Sequence, residues 1–285
     1  MTKEEFIQAA LNEDFQDPNG NIPFGDHATL STIPIDAQNS AYAIAKEAGV
    51  VAGIDLAKEI FAQVDANLEF SPLKKDGDEV AVAELIFTIK GSARSILMAE
   101  RLVLNFMQRM SGIATMSNRF SKEVGGTGVR VLDTRKTTPN LRYFEKWAVQ
   151  IGGCYNHRFG LYDMIMIKDN HIDFCGGIEK AIDAANTYLE EKGFRVPIEI
   201  ETRSISDVKR VLKHGGVERV MLDNFAVEQV QEALKIIDGE VETEVSGGIN
   251  LKTIRAYAEC RPDFISVGAL THSYTSLDIS LKASV

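Results

Sequence analysis

The sequence has little cysteine and little proline. Its three cysteines, Cys154, Cys175 and Cys260, form no CxxC pair, which argues against a disulfide framework or a zinc knuckle and favours a reducing cytoplasm. Only 7 of the 285 residues are proline, so a linker-rich or collagen-like chain is excluded. With 45% hydrophobic and 25% charged residues, the composition predicts a globular protein of roughly two domains, or one large α/β domain with an appendage.

Positive charge and long apolar runs are also scarce. There are 31 Lys and Arg residues against 41 Asp and Glu, a net charge of −10, which argues against nucleic acid or an anionic membrane as a partner. The most apolar stretch, residues 96–110, contains charged side chains such as Glu100 and Arg109. It predicts a buried or interface helix rather than a membrane span of about 20 residues. Thr2 and Glu5 predict a capping box that opens a short helix, in place of a signal peptide.

From residue 129 onward, short β-branched runs alternate with helical patterns. Near-continuous apolar runs of this kind are typical of strands buried on both faces, and strand followed by helix indicates parallel βα units. The predicted strands are 129–134, 164–168, 196–201, 219–223, 242–246 and 264–268. Helices are predicted at 178–192, 207–214 and 226–238, each followed by glycine, and a further helix is predicted to begin near Asn250.

The spacing of the strand ends favours a closed barrel over an open sheet. Successive ends are 34, 33, 22, 23 and 22 residues apart; they are Thr134, Lys168, Glu201, Asp223, Ser246 and Gly268. In such barrels the carboxyl ends of the strands carry the active site. A full barrel has eight units in about 250 residues, so six units predict an incomplete or compact barrel.

The first part of the chain has a different pattern. A helix to about residue 13, strands at 41–45 and 80–89 and a helix at 54–62 predict a separate α/β domain over residues 1–110. The segment 277–282 alternates apolar and polar residues, which is typical of a half-buried strand and incompatible with a parallel barrel. We therefore expect residues 273–285 to join the N-terminal domain and residues 111–272 to form the catalytic barrel.

Basic residues concentrate in one part of this acidic chain. Residues 130–171 hold seven basic and four acidic side chains, a net charge of +3, so the remainder carries −13. A local positive region would attract small polyanions. Arg135, Lys136, Arg158 and Lys168 are ligand candidates, because they follow buried strands or a tight turn. Arg142 and Lys146 are four residues apart on a predicted helix, so solvated salt bridges explain them better.

Acidic residues and glycines follow the remaining strands. Glu201 and Asp223 suit Mg²⁺, which takes one or two carboxylates together with substrate phosphates; pairing with Lys168 is an equally good explanation from spacing alone. The turns at Ser246–Gly248 and Gly268–Ala269, the latter with His272, are candidates for a phosphate site, because glycine lets backbone N–H groups approach an anion. Arg101 lies in an apolar helix beside Glu100, where a structural ion pair is the simpler explanation.

Several blocks of the sequence closely resemble the quinolinate phosphoribosyltransferases. The most specific are Asp-Thr-Arg-Lys-Thr-Thr-Pro at 133–139, Asn-His-Arg-Phe-Gly-Leu at 156–161 and Ile-Lys-Asp-Asn-His at 167–171. The resemblance spans nearly the whole chain. It departs at Asn140 and Cys154, where relatives often have glycine; asparagine tolerates left-handed backbone geometry.

The resemblance implies a fold, a reaction and a set of site residues. The fold would be an N-terminal α/β sandwich followed by an open, seven-stranded α/β barrel. The enzymes transfer phosphoribosyl from phosphoribosyl pyrophosphate to quinolinate with decarboxylation and give nicotinate mononucleotide. By this resemblance Arg135, His157, Arg158 and Lys168 would bind the dicarboxylate, with Thr134 beside them. Phosphoribosyl pyrophosphate and its Mg²⁺ would be held by Lys136, Lys168, Glu201 and Asp223, and its 5-phosphate by Ser246, Gly247, Gly248, Gly268 and Ala269.

The resemblance also gives Arg101 a role and leaves one step unassigned. The counterpart of Arg101 reaches the site of the partner subunit, which implies a homodimer. No general base is evident, and Lys136 is only a candidate for the proton donor to C2. Two alternatives remain open: a Schiff-base aldolase or lyase in which Lys168 attacks a carbonyl, and a non-enzymatic sensor of phosphate ligands.

Overall fold

The computed structural model describes residues 2–284, which divide into two compact units. The first unit runs to Thr115 and includes the residues from Thr275 onward; the second is Met116–Tyr274. Among the described residues, no helix combines the length and the apolar content that a bilayer crossing needs.

The first unit is built on a four-stranded antiparallel sheet in the order β12-β1-β5-β3. Its elements are α1 (Lys3–Phe15), α2 (His27–Thr32), β1 (Gln38–Ala45), β2 (Gly49–Val50), α3 (Ile54–Val64), β3 (Glu69–Pro72), β4 (Glu79–Val80), β5 (Leu85–Ser92), the first part of α4 (Ala93–Glu123), and β12 (Ile279–Ala283). The capping box of Thr2 and Glu5 is present at the start of α1. Strand β12 pairs antiparallel with β1, with Ala43 opposite Leu281.

The predicted strand at 80–89 is wrong in extent. Val80 belongs to β4, which pairs only with β2 in a two-stranded sheet. Ala83 takes a left-handed conformation with φ +69°, and its N–H donates to the Ala45 carbonyl at 2.8 Å. This turn breaks the apolar run, so β5 begins only at Leu85.

The second unit has six parallel strands in the order β6-β11-β10-β9-β8-β7. Its elements after the end of α4 are β6 (Arg130–Leu132), α5 (Arg142–Ile151), β7 (Ile165–Ile167), α6 (Asp169–Cys175), α7 (Ile178–Lys192), β8 (Ile198–Thr202), α8 (Ile205–His214), β9 (Arg219–Asp223), α9 (Val227–Ile237), β10 (Glu242–Ser246), α10 (Ile254–Glu259), β11 (Phe264–Ser266) and α11 (Ala269–His272).

This strand order is that of a barrel with one gap. The first strand, β6, pairs with the last, β11, and an isolated parallel bridge joins Leu132 of β6 to Tyr155. Tyr155 therefore lies at the position of a seventh strand, but it forms only this one bridge. Among the described residues, no strand pairing connects Tyr155 to β7. The predicted α/β class, with an incomplete parallel barrel and a separate antiparallel sheet, is confirmed.

Two local expectations have different outcomes. Asn140 has φ +65°, the left-handed geometry that asparagine tolerates in place of glycine. The helix expected near Asn250 begins only at Ile254, because the Asn250 side chain forms a turn by accepting the Lys252 N–H at 2.9 Å.

Candidate active site

The carboxyl ends of the parallel strands surround one cavity of about 890 Å³. Because all six strands run in the same direction, the residues that follow them lie at one rim. Fourteen of the residues singled out in the sequence line this cavity: Thr134, Arg135, Lys136, His157, Arg158, Lys168, Glu201, Asp223, Ser246, Gly247, Gly248, Gly268, Ala269 and His272. Arg101 lies in the first unit, exposed on α4.

Two arginines, Arg135 and Arg158, line the cavity. The pKa of Arg158 is lowered by burial and by the nearby positive charge of Arg135. Arg158 donates to the Met164 carbonyl at 3.1 Å. In the part of the chain that the structure describes, the buried Nε of Arg135 has no hydrogen-bond partner. Two cations held this close favour the binding of an anion between them.

Lys168 and two carboxylates occupy the next part of the rim. The Lys168 ammonium forms an ion pair with Glu201. This pairing was one of the two explanations that the sequence offered for Glu201. The pKa of Asp223 is raised by burial and by the negative charge of Glu201, so these carboxylates are close enough to repel each other. A shared divalent cation would relieve that repulsion, and their oxygen atoms are the ligands that Mg²⁺ prefers.

The turn after β10 requires glycine at one position. Gly247 has φ +98°, and a Cβ there would lie 2.2 Å from Oδ1 of Asn224. Asn224 also donates to the Asp223 carboxylate at 2.8 Å. Its side chain therefore contacts both the glycine turn and a carboxylate of the rim, a connection that the sequence analysis missed.

A second glycine, Gly268, brings two further side chains together. A Cβ on Gly268 would lie 3.0 Å from Nε2 of His272 and 3.1 Å from Cδ of Lys136. The Lys136 carbonyl accepts a hydrogen bond from Thr271 at 2.9 Å. The loops after the first and the last strand are thus held together at this point of the rim.

Sequence analysis also missed three charged residues inside the barrel. Glu199 on β8, Arg219 on β9 and Glu244 on β10 are all buried. Adjacent strands place Glu199 opposite Arg219, and Arg219 donates to Glu244 at 3.2 Å. Side chains alternate between the two faces of a strand, so residues two apart lie on the same face. Glu199 lies two residues before Glu201, and Glu244 lies two before Ser246, so the sequence could have shown that these glutamates share a face with rim residues.

The ring of His157 faces the carboxylates of Glu199 and Glu244. Its Nε2 is 3.0 Å from a Glu199 oxygen and 3.2 Å from a Glu244 oxygen. Burial lowers the pKa of His157, but the two carboxylates outweigh it, and the pKa is raised. Nδ1 accepts the N–H of Arg158 at 2.6 Å. Both ring nitrogens therefore face protein atoms.

Lys146 is not the solvated helix residue that the sequence predicted. Its side chain is 1% exposed and forms an ion pair with Asp133, which is 0% exposed. Burial raises the pKa of Asp133 to about 6 even though Lys146 lowers it. The same carboxylate accepts the His157 N–H at 2.8 Å, and Lys146 donates to the His157 carbonyl at 3.1 Å. This pair fixes the main chain beside Arg158.

Known proteins of one family match nearly the whole chain. Residues 113–282 match the family model for the quinolinate phosphoribosyl transferase C-terminal domain, and residues 26–111 match that for the N-terminal domain. The chain is 45% identical over 290 residues to quinolinate phosphoribosyltransferase [decarboxylating] 1b of Nicotiana tabacum, covering 97% of this chain and 81% of the relative.

Two bacterial proteins give the same result. The probable nicotinate-nucleotide pyrophosphorylase [carboxylating] of Bacillus subtilis is 42% identical over 85% of this chain and 82% of its own length. The crystal structure of NadC from Streptococcus pyogenes superposes with a TM-score of 0.91 at 40% identity, covering 99% of this chain and 96% of that one. The chain therefore belongs to the quinolinate phosphoribosyltransferase family.

Proposed function

We infer that this protein transfers the phosphoribosyl group of phosphoribosyl pyrophosphate to quinolinate, releases pyrophosphate and CO₂, and so makes nicotinate mononucleotide for NAD biosynthesis. The observation that carries this proposal is that Arg135, Arg158 and Lys168 line one cavity with Glu201 and Asp223. Such a cavity offers cations for two carboxylates beside oxygen ligands for a metal-bound diphosphate. Membership of the family supports the same reaction.

The dicarboxylate would lie against the two guanidinium groups. Arg135 and Arg158 are close enough for their charges to interact, so a carboxylate between them gains hydrogen bonds from both. Each charge-assisted bond contributes roughly 1.5–3 kcal/mol net. Lys168 offers a third cation in the same cavity. Together these groups would select a pyridine with two carboxylates over one with a single carboxylate.

Phosphoribosyl pyrophosphate would occupy the opposite part of the rim. The turns at Ser246–Gly248 and Gly268–Ala269, with His272, would hold its 5-phosphate, and Lys136 and Lys168 would contact the diphosphate. Glu201 and Asp223 fit Mg²⁺ by their chemistry and their mutual repulsion. A bound Mg²⁺ would supply positive charge beside the leaving pyrophosphate.

The protein contributes mainly orientation and charge to the reaction. Pyrophosphate leaves C1 of the ribose as the pyridine nitrogen attacks, through an oxocarbenium-like transition state. The new bond makes the ring nitrogen cationic, which stabilises the electron pair left on C2 when the 2-carboxylate departs as CO₂. A proton then binds at C2; Lys136, in the same cavity, is the candidate donor. The site must hold both substrates in register and exclude water.

The proposal is tested by mixing the protein with quinolinate, phosphoribosyl pyrophosphate and Mg²⁺ and following the products by chromatography. We expect nicotinate mononucleotide, pyrophosphate and CO₂ in equal amounts. Absence of the mononucleotide, or binding of both substrates without turnover, would reject the enzymatic proposal.

The metal assignment makes a separate prediction. Changing Asp223 to asparagine removes a charged ligand, so we expect the Mg²⁺ concentration for half-maximal rate to rise about tenfold or more. The measurement is the initial rate as a function of Mg²⁺ at saturating substrates. Asp183→Asn, at an exposed position on α7, is the control and should leave the Mg²⁺ dependence unchanged. An unchanged dependence in Asp223→Asn would remove this residue from the metal site.

We also propose that the protein is a homodimer in which Arg101 completes the partner's site. Mixing inactive Arg101→Ala and Arg158→Ala chains should then restore activity, because each mixed dimer of twofold symmetry has one intact site; random mixing gives about a quarter of the wild-type sites. Arg158→Ala mixed with Lys168→Ala is the control, since both lesions lie in the same chain's cavity and no intact site forms. Failure of the first mixture to recover activity would contradict the shared site.

A cytoplasmic location is proposed from the cysteine content alone. The three cysteines are free thiols in the structure, as expected in a reducing compartment. Some relatives in plants are named as chloroplastic or mitochondrial enzymes.

A further inference from the structure

The imidazole of His157 is buried against protein atoms at both nitrogens, although the residue borders the cavity. Its side chain is only 3% exposed. Within the described residues, Nε2 meets hydrogen-bond geometry with neither nearby carboxylate. Nδ1 accepts the Arg158 N–H at 2.6 Å, and Nε2 faces one oxygen of Glu199 and one of Glu244. No ring nitrogen is left over to bind a substrate carboxylate, so this geometry points to an indirect role.

The two carboxylates below the ring are costly to bury. Glu199 and Glu244 are both 0% exposed, and Arg219 is the cation between them, donating to Glu244. Within the described residues, neither Glu199 oxygen has a partner that meets hydrogen-bond geometry. Apolar side chains of similar volume would often fill such positions at less cost. Their common feature is that both approach His157.

His157, Glu199 and Glu244 could also be viewed as ligands of a metal ion, since their ligand atoms lie within 4.8 Å of one another. The other side of the ring argues against this. An Nδ1 atom that accepts an N–H leaves Nε2 as the protonated nitrogen, and a metal ligand must be unprotonated. The two carboxylates therefore face a protonated Nε2 at 3.0 and 3.2 Å.

The orientation of the ring determines the position of Arg158. If the ring turned, the Arg158 N–H would lose its acceptor. Asp133 and Lys146 would still hold the His157 main chain, so the shift would fall on Arg158. The guanidinium that donates to the Met164 carbonyl would move with it. Near an anion site, a displacement of about 1 Å is enough to weaken binding strongly.

We propose that Glu199 and Glu244 are positioning residues that hold the His157 ring, and through its Nδ1 the Arg158 main chain, in the geometry that binds the dicarboxylate. The inference rests on the proposed function, because it assigns Arg158 to quinolinate. The proposal gives the buried carboxylates a role in the affinity for quinolinate and no role in binding phosphoribosyl pyrophosphate.

The test compares two variants of Glu244. Glu244→Met removes the acceptor at similar volume, and we expect the KM for quinolinate to rise about tenfold while the KM for phosphoribosyl pyrophosphate stays within about twofold. Glu244→Gln keeps an oxygen acceptor and should retain most of the wild-type affinity. Glu242→Met is the matched control: Glu242 contacts the same Arg219 but not His157, so its quinolinate KM should not change.

Other outcomes overturn the proposal. An equal rise in both KM values, or the same rise in Glu242→Met, would indicate a general loss of structure. Unchanged quinolinate KM in Glu244→Met would show that the ring does not depend on this carboxylate. A stoichiometric metal in the purified wild-type protein that is absent from Glu244→Gln would assign the trio to a metal.

Two measurements keep the test independent. If Glu244→Met does not fold, Glu199→Met makes the same test from the other carboxylate, with Glu199→Gln as its conservative partner. Calorimetric titration with quinolinate measures affinity without turnover. A wild-type protein that binds quinolinate but makes no product would therefore reject the proposed reaction while leaving the positioning role open to the same comparison.

Discussion

Replacing Arg158 with alanine is expected to raise the KM for quinolinate about 100-fold or to abolish activity. The change removes a half-buried guanidinium beside Arg135, and charge-assisted hydrogen bonds contribute roughly 1.5–3 kcal/mol each. Loss of two such bonds corresponds to at least about a hundredfold, since every 1.4 kcal/mol is about tenfold. The measurement is the initial rate as a function of quinolinate at saturating phosphoribosyl pyrophosphate.

The control for this prediction is Arg210→Ala, which removes an exposed arginine paired with Glu179 on the helical surface. It should keep wild-type kinetics. The KM for phosphoribosyl pyrophosphate should change little in Arg158→Ala, because the residue is assigned to the dicarboxylate. Wild-type quinolinate kinetics in Arg158→Ala would remove this residue from the site.

The second large effect is expected on stability. Changing Lys146 to methionine leaves the Asp133 carboxylate buried without its cation, and breaking a buried pair on one side destabilises by about 3–5 kcal/mol. Urea unfolding followed by circular dichroism measures the free energy of unfolding. Because Asp133 also accepts the His157 N–H, the variant should bind quinolinate less tightly as well.

A matched pair of variants separates this effect from general damage. Arg210→Met breaks an exposed ion pair and should leave the free energy of unfolding nearly unchanged. Adding Asp133→Leu to Lys146→Met removes the unpaired charge and should recover part of the lost stability. A Lys146→Met variant as stable as the wild type would contradict the account of this pair.

Much of the strand pattern could be predicted because it depends on local sequence. Strands β9 and β10 begin and end at the predicted residues, 219–223 and 242–246. Strand β9 is a run of buried apolar residues, 220–222, that follows the turn at Gly215–Gly216. Strand β10 lies between Gly239 and Gly247, and both signals are local in the sequence. The residues of the cavity rim could be predicted from these strand ends, because parallel strands bring their carboxyl ends to one edge of the sheet.

The interior of the barrel could not be predicted in the same way. The spacing of Lys146 to Arg142 predicts a solvated side chain, whereas its partner Asp133 comes from a different element. Glu199 and Glu244 meet at His157 only because β8 and β10 flank β9. Pairing across elements depends on tertiary structure, so helix periodicity and strand runs alone do not reveal which charges are buried together.

The structure also bears on the Schiff-base alternative. Lys168 forms an ion pair with Glu201, which engages the amino group that would have to attack a carbonyl. Its placement suits the binding of an anion better than nucleophilic attack. The family relationship supports the same conclusion.

The central claim is that cations from separate strand ends form one pocket for two carboxylates. The most direct test is the ratio of kcat/KM for quinolinate to that for nicotinate, measured with the same enzyme at saturating phosphoribosyl pyrophosphate and Mg²⁺. We expect a preference for quinolinate of at least about 100-fold, as the loss of one paired carboxylate should cost two or more charge-assisted bonds. Equal use of the two acids would contradict the claim.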